Sequence, residues 1–168
     1  MNMRIVSDSS SNILELEGFD YKSVPLKIIS DSKEYVDTPD LDVAKMVEEM
    51  YKSHERFSTS CPNAYDWSKA FEGGENIFAV TITKHLSGCY GAAVNAAEDF
   101  KAENPNANIY VIDSLSTGGE MQLIIEKLIE LQKKGLPFEE IKDEITEYQK
   151  HTHLIFALRS LNNLAKNG

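Results

Sequence analysis

Two hydrophobic periodicities alternate along this chain, and that alternation restricts its fold more than any other feature. Residues 4–6 read as a short strand, and the runs at 77–83 and 109–112 are rich in β-branched side chains, as strands buried on both faces are. Residues 24–29 alternate apolar and polar positions like a half-buried strand, and 154–158 reads as another. Between the runs, apolar residues recur at spacings of three and four. Val43, Val47, Met50 and Tyr51 form one stripe, and Leu86, Tyr90, Ala93, Ala97 and Phe100 a second. Met121, Ile124, Ile125, Leu128 and Leu131 form a third, and Phe138, Ile141, Ile145 and Tyr148 a fourth. Gly135 and then Pro137 separate the last two, a helix stop followed by a helix start. Strands that alternate with helices predict a three-layer α/β/α domain around a mostly parallel sheet. Residues 34–37 read as a short edge strand within the irregular stretch 30–39. No linker interrupts the sequence, so residues 1–168 are expected to form a single domain.

Composition narrows the function classes. A net charge of −10 argues against binding nucleic acid, whose phosphates demand clustered Lys and Arg. It equally disfavours docking on anionic membranes, and no run approaches the roughly 18 apolar residues of a membrane span. The only two cysteines, Cys61 and Cys89, make neither a disulfide framework nor a zinc signature. Residues 1–9 lack the apolar stretch of a secretory signal, so a cytoplasmic setting is expected, and no cofactor is implied.

The chemistry concentrates where strands hand over to helices, the edge at which open α/β sheets bind ligands. Ser7-Asp8-Ser9-Ser10-Ser11 follows the first strand, and Phe57 leads into Ser58-Thr59-Ser60-Cys61-Pro62, with Pro62 read as a first helical residue. Lys84-His85-Leu86-Ser87-Gly88-Cys89-Tyr90 follows Thr83, and Asp113-Ser114-Leu115-Ser116-Thr117 follows Ile112. Hydroxyls beside free helix N–H groups suit an anion that needs a few donors, such as a carboxylate. The bland alternative is that Ser, Thr and Asp simply cap helices. No GxxxxGK[ST] or GxGxxG loop is present, and only Lys84 supplies a cation near a junction, so a phosphate ligand is the poorer fit.

At these junctions the sequence resembles the DegV family. Arg4-Ile5-Val6-Ser7-Asp8-Ser9 is similar to its N-terminal strand and Thr/Ser-Asp-Ser turn, and Ser58-Thr59-Ser60-Cys61-Pro62-Asn63 to its TSQPS loop. Residues 83–90 resemble its LSGTY motif, Val111-Ile112-Asp113-Ser114 its V-I/V-D-S strand end, and residues 161–168 the approach to its GGRI turn. Five weak motifs in the correct order span the whole chain. The resemblance implies a bacterial carrier, not an enzyme, that holds a long-chain fatty acid and presents it to a separate fatty acid kinase catalytic subunit. Carried over, the carboxylate donors are Thr59 or Ser60 together with Ser87 and its neighbour Gly88, supported by Asp113 and Ser114. Cys61 stands where Gln is usual and Cys89 where Thr is usual, so these two head-group contacts depart from the pattern. The family pattern continues into a second, lipid-enclosing domain, so a half-carrier is expected here, with an apolar strip exposed beside Leu86 and Met121 and self-association as a dimer.

Two rival readings stay open. A Cys-dependent enzyme would pair Cys61 or Cys89, both read in early helical turns, with His54 or His85 as base. An interaction module without ligand would use an exposed apolar patch. His151 and His153, alternate residues of an expected strand, lack the further ligands that close a metal site. Trp67, Tyr65 and Phe71 read as core.

Overall fold

A computed structural model describes residues 2–155 and residue 157. Four strands, β1 (Arg4–Asp8), β2 (Asp20–Val24), β6 (Asn76–Thr81) and β7 (Asn108–Asp113), pair in the order β2-β1-β6-β7. Every pairing in this sheet is parallel. The register sets Asp8 opposite Val24 and Thr81 opposite Asp113, so these residues end their strands along one edge. Val6, Ile77 and Ala79 pack on one face against α2 (Ala64–Phe71) and α3 (Cys89–Glu103). Ile5, Phe78, Val80 and Ile112 pack on the other against α4 (Gly119–Lys133) and α5 (Phe138–Tyr148). The expected three-layer α/β/α arrangement is therefore present.

The third stripe, Met121 to Leu131, is wholly buried, and the fourth buries Phe138, Ile141 and Ile145. Gly135 takes a left-handed φ of 74° and its N–H donates to Gln132 O at 2.9 Å, which ends α4 as a glycine C′ residue does. Trp67 and Phe71 are core, whereas Tyr65 is exposed beneath the Lys69 ammonium.

Elsewhere the periodicity misleads. The expected strand 24–29 is two strands in different sheets. Val24 ends β2, and Lys27–Ile29 is β3 of a small antiparallel sheet ordered β4-β3-β5, with β4 at Glu34–Val36 and β5 at Ser58–Ser60. Pro25 lacks the N–H that a continuing ladder needs, and Leu26 N instead donates to Ser9 Oγ at 3.0 Å. The edge-strand reading of 34–37 holds for its first three residues. The first helical stripe is not core. Along α1 (Val43–Lys52) only Met46 is buried, while Val43 is 54% exposed and Tyr51 88%. His151 closes a short 3-10 turn (Gln149–His151) and His153 lies in irregular chain, so the two do not share a strand. Leu154 and Ile155 are also irregular; the rest of the 154–158 strand reading and the motif at 161–168 fall mostly or wholly outside the described residues.

Candidate functional site

The site is built where β1, β6 and β7 end. Asp8 is the hub of this edge. Its Oδ2 accepts Ile82 N–H at 2.7 Å and its Oδ1 accepts Ser10 N–H at 3.1 Å, with the Ser10 hydroxyl also donating to Oδ1. One buried carboxylate thereby fixes both the turn after β1 (Ser9–Ser11) and the loop between β6 and α3. Asp113 acts in the same way at the end of β7. Its Oδ1 accepts Lys84 N–H at 3.3 Å and Leu115 N–H at 3.1 Å, and its Oδ2 lies 3.6 Å from Lys84 Nζ, beyond hydrogen-bond length. Ser114 is buried and exchanges hydrogen bonds with Ser116, donating to its carbonyl at 2.9 Å and accepting its N–H at 3.1 Å. Asp113 and Ser114 are thus occupied in shaping loops, while Leu115, held at a left-handed φ of 57°, is 61% exposed. Such backbone strain in a bulky residue costs about 1–3 kcal/mol and tends to gather at functional sites.

The two loops expected to supply carboxylate donors meet. A methyl group at Gly88 would lie only 3.2 Å from Cys61 Sγ, so the bare glycine lets the β5–α2 loop approach the start of α3. Ser87 Oγ donates to Cys89 Sγ at 3.2 Å and accepts Cys89 N–H at 3.3 Å. Gly88, the N-cap of α3, provides no side-chain cap, and neither does Gly118 at α4. Capping alone therefore accounts for Ser87 only partly. At α2 the cap is Asn63, in a reciprocal box with Asp66, so Pro62 precedes the helix instead of opening it. Thr59 is exposed and Ser60 half-buried, both on β5, which belongs to the small sheet and not to the parallel one.

Cys61 lies before α2, not within its first turn. Cys89 does open α3, but burial, with the nearby Asp8 charge second, pushes its thiol up to about 12. A group protonated at neutral pH is the reverse of an activated nucleophile. Burial likewise raises Asp8 above its ordinary value, against the hydrogen bonds from Ser10 and Ile82. The folded protein therefore holds this proton more tightly than the unfolded chain. Its contribution to stability is full below the unfolded pKa of 3.8 and is lost as pH rises through the folded value. Measured against Asp8→Asn by thermal melting, the protein should gain stability as pH falls from 7 towards 4; a difference independent of pH contradicts this.

Beside Thr59 opens a groove of about 980 Å³ lined by Ile28, Val47, Met50, Tyr51 and Phe57, with His54 and Arg56 also on its wall. It explains why the α1 stripe is uncovered. The apolar strip expected beside Leu86 and Met121 is present in part: Met121 itself is fully buried, but Leu86 is exposed and so is Leu123 on α4. Further apolar exposure falls on α1 and Leu115. Apart from Thr59, the apolar groove residues and Asp8 are not legible as site residues in the sequence. The alternation at 24–29 and the α1 stripe mark apolar faces but not that they line an open groove, and Asp8 reads only as a turn residue. Among the described residues no cluster of three or more His, Cys, Asp or Glu could hold a metal, and no helix is long and apolar enough to cross a membrane.

A sequence model described as an uncharacterised protein of the DegV family matches residues 2–168. The chain belongs to the DegV family. Relatives within it include DegV domain-containing proteins of Streptococcus gordonii, 43% identical, and Streptococcus pneumoniae, 42% identical. In both, the match covers all of this chain and 61% of the relative, so the chain spans about three-fifths of their length. A DegV family protein from Eubacterium eligens, solved loaded with heptadecanoic acid, superposes with a TM-score of 0.94 at 42% identity, covering 99% of this chain and 60% of that one. The Streptococcus pneumoniae Fatty Acid Kinase (Fak) B3 protein, loaded with linoleic acid, gives 0.86 at 41% identity, with 89% and 55% covered.

Proposed function

We propose that this DegV domain holds a long-chain fatty acid by its carboxylate and presents it, as a carrier, to a separate fatty acid kinase catalytic subunit. The observation that carries this reading is the continuity of donors with an apolar groove. Thr59 lines the groove, Ser60 and Cys61 follow it in the chain, and Cys61 touches the Gly88 turn beside Ser87. A carboxylate at Ser60 and Ser87 would sit over the start of α3, whose N-cap Gly88 has no side chain to cap it, with its tail directed along Ile28, Val47, Met50 and Phe57. The similarity to proteins solved with heptadecanoic and linoleic acid supports the same ligand class. The burial of Cys89 speaks for carriage rather than thiol chemistry.

Removing the Ser87 hydroxyl tests the head-group assignment. A hydrogen bond to a charged group contributes about 1.5–3 kcal/mol, so Ser87→Ala should weaken fatty acid binding roughly tenfold or more. Titration with a fluorescent fatty acid beside a melting curve reads both effects. Unchanged affinity with a large drop in melting temperature would assign Ser87 to capping alone. A second reading, self-association, is favoured by the exposed Val43, Tyr51, Leu86 and Leu115. Native mass spectrometry separates the two: a copurified fatty acid supports carriage, and an empty dimer supports association.

A further inference from the structure

The feature that the carrier reading leaves unused is the most buried acid of the site. Asp8 has no measurable exposure and, among the described residues, no cation pairs with it. Its two oxygens are held by the Ile82 and Ser10 N–H groups and by the Ser10 hydroxyl. An isolated buried carboxylate is costly, so one kept at a ligand edge signals a task there. The residues from Ile82 to Ser87 form the loop that delivers the Ser87 hydroxyl. Asp8 anchors its first N–H directly, and the Cys89 thiol stands between Asp8 and Ser87, 3.2 Å from Ser87 Oγ.

Titratable groups face Asp8 from each neighbouring element. Tyr21 comes from β2 and Cys89 from α3, Cys89 in turn faces Cys61 of the loop before α2, and β6 contributes no titratable side chain. Glu120 is buried in the first turn of α4, the helix that packs on the Ser9–Ser11 turn, and Asp113 with Lys84 lies farther along the edge. None of those nearest to Asp8 is a base that could offset a second negative charge. We infer that Asp8 is a positioning residue for the head-group loop, and that an anionic head group arriving at Ser87 makes the protein take up a proton at Asp8. Two carboxylates sharing a poorly solvated site cannot both stay ionised cheaply, and the protein's acid, already held against its preference, is the one that protonates. The proton comes from solvent, so the affinity falls with rising pH, by up to about tenfold per unit for one full proton.

This inference rests on the carrier reading, and the experiment keeps the two apart. Sodium oleate is titrated calorimetrically into the full chain near neutral pH, in phosphate and in Tris, whose ionisation heats differ. The expected result is an apparent enthalpy that differs between buffers by the heat of proton uptake, and a difference that disappears in Asp8→Asn. Oleate binding with equal enthalpies in both buffers overturns the inference and leaves the carrier reading standing. Uptake unchanged in Asp8→Asn also overturns it, since the proton then belongs to the fatty acid. Absence of any oleate binding overturns the carrier reading and this inference with it. Should Asp8→Asn not fold, the ¹³C shift of the Asp8 carboxyl with and without oleate decides: a move towards the protonated value supports uptake, and an unmoved resonance overturns it.

Discussion

Trp67→Ala should destabilise this protein by about 3–5 kcal/mol, the usual cost of deleting a buried aromatic side chain. Trp67 is fully buried on α2, its ring 6.0 Å from Phe71, which in turn meets Phe100 of α3 edge-on at 6.0 Å. This aromatic relay fastens the two helices whose N-terminal loops carry Cys61 and Ser87. A loss of that size lowers the melting temperature by roughly 10 °C in a domain of this length. The indole N–H is buried without an acceptor, so Trp67→Phe gives up little polar stabilisation and, leaving a smaller cavity, should cost clearly less than Trp67→Ala. Chemical denaturation of the two variants checks the pair, and a Trp67→Ala loss below about 1 kcal/mol would show that α2 repacks without its anchor.

How much of the fold and site is legible in the sequence depends on whether the deciding contacts are local. The stripes of α4 and α5 are readable because their apolar spacing is long, regular and covered by the sheet on the same chain. The α1 stripe has the same spacing, yet it lines an open groove, because periodicity reports an apolar face and not what covers it. The small sheet leaves little trace, since Ser58–Ser60 is three polar residues long, too short for an alternation signal. The proposed donors of the site are visible as hydroxyls at strand ends, but the approach of Cys61 to Gly88 joins residues 27 apart in sequence. Asp8 looks like an ordinary turn residue. Its burial and its hold on Ile82, 74 residues away, arise only when β1 and β6 pair side by side.

Affinity for fatty acids should rise only weakly with acyl length in this chain, and steeply once the segment of the relatives that it does not span is supplied. A buried methylene contributes about 0.8 kcal/mol, so eight methylenes in an enclosed tunnel contribute about 6 kcal/mol, or roughly four orders of magnitude in affinity. The groove beside Thr59 encloses no such tunnel: its walls are β3, β5 and α1, and Tyr51 on that wall is almost fully exposed. A tail lying there keeps one side in water, and about half the increment per methylene is expected. Gln149 Nε2 donates to Asp113 O at 2.8 Å, which brings the chain after α5 to the edge that carries the proposed donors. Calorimetric titration of ten- and eighteen-carbon acids into this chain, with and without the remaining two-fifths of a relative as a separate polypeptide, measures both slopes. If this chain by itself already gave the full increment per methylene, the groove would be closed in solution, and the domain would carry its ligand unaided.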